Sequence, residues 1–218
     1  MGTVGVDWTV IREMSVPSST SDKVGAVQFR HAGRSYHCRF PDVGNLRDIV
    51  TKIVSGQAYP LPILKGFRPE VIVDVGANVG ASALYFAIIW PEARLFCYEP
   101  SSRNLPFLRA NLKDLPQARV FDHGLSDRNR QTRLYHGKFQ TAQDSTVPSV
   151  ETGTDFEMIR LRRASDEFAA CNLDRISILK IDTEGAECEI LCQSALNIDP
   201  RSAFNVDPFW DARWRSSR

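Results

Sequence analysis

The sequence predicts an α/β fold built on a doubly wound, mostly parallel sheet. Three observations predict it. Residues 71–80, VIVDVGANVG, read as an apolar buried strand that breaks into a glycine turn and runs into a helix. Strand and helix patterns then alternate with short turns, which calls for parallel strands and right-handed crossovers. A second apolar run at 175–182, RISILKID, ends in an acid in the same way as VIVD.

The elements follow in chain order. Residues 1–24 are polar and irregular around VPSSTS and predict no regular structure. Residues 26–29 and 35–40 flank His31-Ala32-Gly33-Arg34 and predict a β-hairpin. Asn45 can cap a helix in which Leu46, Ile49, Val50, Ile53 and Val54 form one apolar stripe. That stripe is expected to pack onto the main domain, and Gly56, Pro60 and Pro62 stop the helix. The first strand at 71–75 leads into a helix that Pro91 ends. RLFCYE at 94–99 is the second strand. Ser101 and Ser102 can cap the next helix, and ARVFDHGL at 118–125 is the third strand. Residues 133–136 and 156–162 read as short strands around a long polar loop, which is either a substrate lid or disorder. Ser165 is expected to cap a short helix, and a final helix is expected at 185–195. The chain thus divides into an irregular segment (1–24), a hairpin and helix (25–66), a main domain (67–196) and a tail (197–218).

Composition narrows the function. With 43% hydrophobic residues and a net charge of +1 over 218 residues, the chain suits one globular domain with additions. It implies no nucleic-acid or membrane partner. The start MGTVGVDWTVIREMSV lacks the apolar core of a secretory signal. Position 6 is Val6, which argues against myristoylation at Gly2. The five cysteines form no CxxC pair and read as buried reduced thiols of a cytoplasmic protein. Cys188 and Cys192 share a helix face, where packing is favoured over metal binding.

Chemistry converges at the carboxyl ends of the strands, where a doubly wound sheet binds ligands. The first strand brings Asp74 and the turn Gly76-Ala77-Asn78-Val79-Gly80. Glycine lets a ligand approach the backbone, and a helix N-terminus offers N–H groups and partial positive charge. Glu99 ends the second strand. A carboxylate there can accept both hydroxyls of an adenosine ribose, as found in NAD and in S-adenosylmethionine. The turn separates the two. A pyrophosphate wants G-x-G-x-x-G, but Asn78 stands at the second glycine. Asp74 is placed for the methionine ammonium, with turn N–H groups and Asn78 for its carboxylate. The strand at 175–182 delivers Asp182, followed by Thr183, Glu184 and Gly185.

At these residues the chain resembles a family. VIVDVGANVGASA at 71–83, YEP at 98–100, GLSD at 124–127 and LKIDTEGAECEIL at 179–191 are similar to the FkbM-type S-adenosylmethionine-dependent methyltransferases. The segment K-I-D-x-E-G-A-E after a buried strand is the most specific part. The resemblance implies a Rossmann-like domain that methylates oxygen on sugars or other small natural-product molecules. It carries Asp74, Gly76, Asn78, Gly80 and Glu99 onto cofactor-binding positions, with Ser126 and Asp127 near the adenine end. Asp182 is the first candidate for holding the acceptor or taking its proton, and Glu184 the second. Glu187 is expected to cap its helix or bind Lys180. Clustered acids also suit Mg²⁺, but no spacing demands a metal and none is assigned. His123 and His136 are expected to be structural.

The C-terminus departs from that family. Only LNIDPRSAFNVDPFWDARWRSSR follows Ala195, interrupted by Pro200 and Pro208, and no strand–helix–strand pattern can be read in it. The Asp182 strand is therefore expected at a sheet edge, a route to a homo-oligomer unless Phe204, Phe209, Trp210 and Trp214 cover it. Two other readings stay open: an inert cofactor-binding remnant acting through partner contacts, and a nicotinamide oxidoreductase.

Overall fold

The computed structural model describes residues 9–16, 23–59, 67–137, 144–146, 148, 152–183, 187–194 and 198–206. At its centre is a sheet of five parallel strands: β4 (Val71–Val75), β5 (Arg94–Tyr98), β6 (Ala118–Phe121), β10 (Ile176–Ile181) and β11 (Ile198–Val206). Their order is β11-β10-β4-β5-β6. Strand order reverses at β4, with β5 on one side and β10 on the other, so the cleft beyond β4 is where a ligand belongs.

Strand side chains alternate between two cores. Ile72, Leu95, Cys97 and Ile178 face one core, together with α2 (Ala81–Ile89) and α3 (Leu105–Leu112). Val71, Val73, Phe96, Tyr98, Leu179 and Ile181 face the other, against α4 (Ala164–Ala170) and α5 (Glu187–Ser194). Two covered faces are why these strands are near-continuous apolar runs. The same period of two puts Asp74 and Lys180 on the first face, where the parallel register pairs them side by side.

Before the sheet, β2 (Val24–His31) and β3 (Arg34–Pro41) form the expected hairpin, and α1 (Leu46–Val54) follows. Ala32 and Gly33 turn it at φ 47° and 77°. Thr9–Val16 form a strand, β1, antiparallel to β2, where the sequence predicted no regular structure. A hairpin edge recruits this weakly patterned segment.

A second small sheet corrects the reading of 118–125 as one strand. β6 stops at Phe121, and Gly124–Ser126 form β7 in a sheet of order β7-β9-β8, with β8 (Arg130–Gly137) and β9 (Thr152–Arg163). Gly124 lets the junction pack closely: a Cβ there would lie 2.6 Å from Leu161 Cδ2 and would push that side chain aside. Three caps also differ. Ser165 lies inside α4, whose N-cap is Arg163. Asn104 holds the N-cap position of α3 without a side-chain cap bond, and the Ser101 hydroxyl turns to Glu157. Asn45 is the N-cap of α1 but makes no side-chain cap bond.

The expectation that the Asp182 strand lies at the edge is overturned. β11 runs parallel along β10, pairing Leu179 with Phe204 and Ile181 with Val206. Its register jumps from Ile198 to Ala203, a bulge that contains Pro200. Proline is tolerated on an outer strand because one row of N–H groups there has no ladder partner. The outer strands are β11 and β6, so β10 offers no edge for a second copy. Phe209, Trp210 and Trp214 lie outside the described residues, as does most of the polar loop. Among the described residues no helix is long and apolar enough to cross a membrane. Cys38, Cys97 and Cys171 are buried as expected, whereas Cys188 and Cys192 are exposed and do not pack.

Candidate active site

One pocket opens at the switch point. Its lining includes Gly76, Asn78, Glu99, Asn104, Lys180 and Asp182. The turn after β4 has its shape for packing reasons that the sequence carries. Gly76, at φ 75°, sits against the end of β10; a Cβ there would lie 1.9 Å from the Asp182 carbonyl oxygen. Gly80, at φ 86°, is the N-cap of α2, and a Cβ would lie 2.7 Å from Leu108 Cδ1. Asn78 adopts φ 51°, a left-handed conformation that asparagine tolerates better than most residues.

The amides of this turn are already engaged. Gly76 and Ala77 donate to the Tyr98 carbonyl at 3.0 and 3.1 Å. Asn78 N–H donates to Glu99 Oε2 at 2.7 Å, and Val79 N–H to Asn78 Oδ1 at 2.7 Å. Gly80 N–H donates to the Ala77 carbonyl at 2.8 Å. The expected anion cradle of turn N–H groups and Asn78 is therefore not formed at 76–80; the turn uses these amides to hold its own shape and to fix Glu99.

Glu99 follows β5, anchored by its N–H to the Phe121 carbonyl at 3.1 Å. It is 5% exposed, and each carboxylate oxygen takes one backbone donor, Oε2 from Asn78 and Oε1 from Ser101 at 2.8 Å. Burial pushes its pKa up to about 7, against the lowering effect of those amides and of the Asn104 side chain. A carboxylate has about four lone-pair sites, so with these donors Glu99 keeps acceptor capacity for at least one more. Beside it, Asn104 is 2% exposed, and its Oδ1 has no hydrogen-bond partner. Buried polar atoms in native proteins are almost always paired. An unpaired amide oxygen next to a buried carboxylate with acceptor capacity left, both lining one pocket, fits a ligand that brings more than one donor, such as a ribose. The sequence reading missed Asn104 because an asparagine before a helix reads first as a cap.

Asp74 is placed differently from expectation. It is 0% exposed; Oδ1 accepts from Lys180 Nζ at 2.8 Å and Oδ2 from the Ser82 hydroxyl at 2.6 Å. Lys180 Nζ also donates to the Gly76 carbonyl at 3.0 Å and lies 3.8 Å from Asp182 Oδ2. Burial works against the Lys180 charge, but the Asp74 and Asp182 carboxylates outweigh it and hold its pKa above the ordinary value. Asp74 thus acts on the pocket through Lys180 and Ser82, which line it. Lys180 does not bind Glu187, which instead accepts from Thr183 N–H at 3.0 Å and Thr183 Oγ1 at 2.9 Å.

Asp182 lies just past β10, its N–H bonded to the Val75 carbonyl at 3.0 Å and its side chain half-exposed at 50%. Near it stands Tyr59, which the sequence reading did not single out. Burial pushes the Tyr59 phenol up to about 12, and Lys180, Asp74, Asp182 and Ser82 act on it. It is a neutral donor at physiological pH. Glu184 lies outside the described residues.

Ser126 and Asp127 are drawn away from the pocket. Ser126 Oγ lies 2.7 Å from Glu189 Oε2, and Arg130 bridges Asp127 Oδ1 at 3.1 Å and Glu189 Oε2 at 2.7 Å. This cluster ties β7 and β8 to α5, and Gly124 and Leu125 line the pocket instead. His123 and His136 are both buried, beside Glu167 and Asp144 respectively. Asp144 also reaches the pocket. No cluster suited to a metal ion occurs among the described residues.

A parallel sheet with a pocket at its switch point, a buried carboxylate in that pocket and a packed glycine turn define a Rossmann-like domain of the doubly wound class. The model of the methyltransferase FkbM domain matches residues 74–211, and the chain belongs to the FkbM methyltransferase family. It is 28% identical over 148 residues to 2-O-methyltransferase NoeI of Sinorhizobium fredii, covering 57% of each chain. It is 29% identical over 157 residues to AMB antimetabolite synthetase AmbE of Pseudomonas aeruginosa, covering 56% of this chain and 7% of AmbE. It is 26% identical over 151 residues to methyltransferase sdnD of Sordaria araneosa, covering 55% of this chain and 58% of sdnD. The match thus spans less than two thirds of each of these relatives. Among solved structures, precorrin-6y C5,15-methyltransferase from Geobacter metallireducens aligns at TM-score 0.42 and 14% identity, covering 77% and 68% of the two chains. The plantazolicin methyltransferase BpumL, in complex with SAH, aligns at 0.42 and 13%, covering 73% and 48%.

Proposed function

We propose that the chain is an S-adenosylmethionine-dependent O-methyltransferase acting on a hydroxyl of a small molecule. The observation that carries this is the buried Glu99 carboxylate and unpartnered Asn104 oxygen beside a turn whose own N–H groups are already engaged. The family model supports methyl transfer, and the name of NoeI supports oxygen as the acceptor atom.

In this reading Glu99 and Asn104 hold the ribose, and Leu125 lies on the purine side. Bound S-adenosylmethionine would supply an electrophilic methyl on a sulfonium that departs as a neutral thioether. Asp182 accepts the hydrogen bond of the acceptor hydroxyl, aligns its oxygen, and takes its proton at a carboxylate oxygen as the O–CH₃ bond forms. Lys180, fixed by Asp74 and Gly76, keeps the Asp182 carboxylate turned to the cleft. Tyr59 presents its phenol at the same end, where a methionine carboxylate finds a donor, while the Ser82 hydroxyl stays committed to Asp74.

Isothermal titration tests this with S-adenosylhomocysteine and NAD as the two ligands. Wild type should bind the first and not the second, and Glu99→Ala should weaken binding by about 100-fold, the loss of roughly two charge-assisted hydrogen bonds. NAD binding, or no S-adenosylhomocysteine binding to folded protein, overturns the reading.

A further inference from the structure

The sequence gives α1 a five-residue apolar stripe, but the fold buries only part of it. Leu46, Val50 and Val54 are 2%, 1% and 0% exposed and belong to the core. Ile49 and Ile53 are half-buried and line the pocket. The helix then leads into Tyr59, which stacks on Tyr85 at 6.0 Å between ring centroids and lines the same pocket as Lys180 and Asp182. An apolar wall therefore meets the reactive end of the cleft. It comes from residues that precede the matched domain, which begins at residue 74.

We infer that Ile49, Ile53 and Tyr59 form the acceptor subsite, and that the acceptor is a hydroxyl carried on an apolar ring or alkyl frame. The inference rests on the proposed function and adds the substrate class. Pressing a polyhydroxylated face against two isoleucines would strip water from hydroxyls that gain no partner there, which disfavours binding. An apolar frame loses no hydrogen bonds on the same wall and leaves one hydroxyl for Asp182. The wall and the Asp182 carboxylate line one pocket, so an acceptor lying on the wall shares its cleft with that carboxylate. The Tyr59 phenol, kept neutral by burial, adds an edge for ring packing and a donor at the wall's end.

The test uses full-length protein saturated with S-adenosylhomocysteine, with cyclohexanol and myo-inositol as probes of one ring size and opposite polarity. Saturation-transfer NMR should show cyclohexanol bound and myo-inositol unbound. Ile49→Ser/Ile53→Ser should weaken cyclohexanol at least about fivefold while S-adenosylhomocysteine affinity stays within about twofold, a loss in line with two methyl-rich side chains. Equal binding of both probes by wild type overturns the inference, as does cyclohexanol binding that the double variant leaves intact. The wild-type comparison stands even if the variant does not fold. Failure of S-adenosylhomocysteine itself to bind is a different result, and strikes the proposed function.

Discussion

Asp74 shows how one residue can be visible in a sequence and misread. An acid inside an apolar strand marks a site, but its partner Lys180 is 106 positions away and is brought alongside only by parallel register. Buried ion pairs add little net stability, yet removing one partner strands a charge, at a cost of about 3–5 kcal/mol. Asp74→Asn alone should lower stability by that order in urea unfolding, whereas Asp74→Leu/Lys180→Met should be far milder; equal losses from both would refute the pairing. Gly76 is a second residue-scale case. Alanine there would have to displace the Asp182 backbone and hold a left-handed φ, so Gly76→Ala should cost about 3 kcal/mol. A thermal melt unchanged from wild type would contradict that geometry.

At the scale of elements, the strands and helices of the main sheet were legible because burial on both faces writes long apolar runs. What was not legible shares one physical cause. β1 and β11 are completed by pairing with neighbours, and pairing leaves no periodicity when prolines or polar residues stand on an outer strand. The division of 118–125 into β6 and β7 was hidden because one apolar stretch serves two sheets in turn. Ser126 and Asp127 follow from this. As ends of a third strand they would face the cleft; as the end of β7 they bind Arg130 and Glu189. Ser126→Ala and Asp127→Asn should therefore leave S-adenosylhomocysteine affinity within about twofold, and change stability by no more than about 1 kcal/mol, since Asp127 and Glu189 are over a third exposed. A tenfold affinity loss in either variant would return them to the cofactor site.

For the whole molecule, the two cores clamp the sheet so that Glu99 sits dry at its end, and this links cofactor, proton and fold. Its folded pKa of about 7 lies above the ordinary 4.5. The protonated form therefore stabilises the free protein, by about 3 kcal/mol, fully below its unfolded pKa, and that stability is lost as pH rises through its folded pKa. Calorimetric melts of free protein should fall over this window, and S-adenosylhomocysteine should restore stability most at the alkaline end. A flat profile would mean that Glu99 is not desolvated.

The same linkage gives the most direct test of the account, in which the buried Glu99 carboxylate receives the cofactor ribose. Ribose hydroxyls bind the ionised form, so below the free-protein pKa binding must release about one proton, and each further pH unit costs about tenfold in affinity. Titration calorimetry of S-adenosylhomocysteine at about pH 6 and about pH 8 should give affinity roughly tenfold weaker at the lower pH, with a proton released on binding, and Glu99→Gln should bind weakly with no such dependence. Equal affinity at both values in wild type, or an unchanged pH dependence in Glu99→Gln, would contradict it.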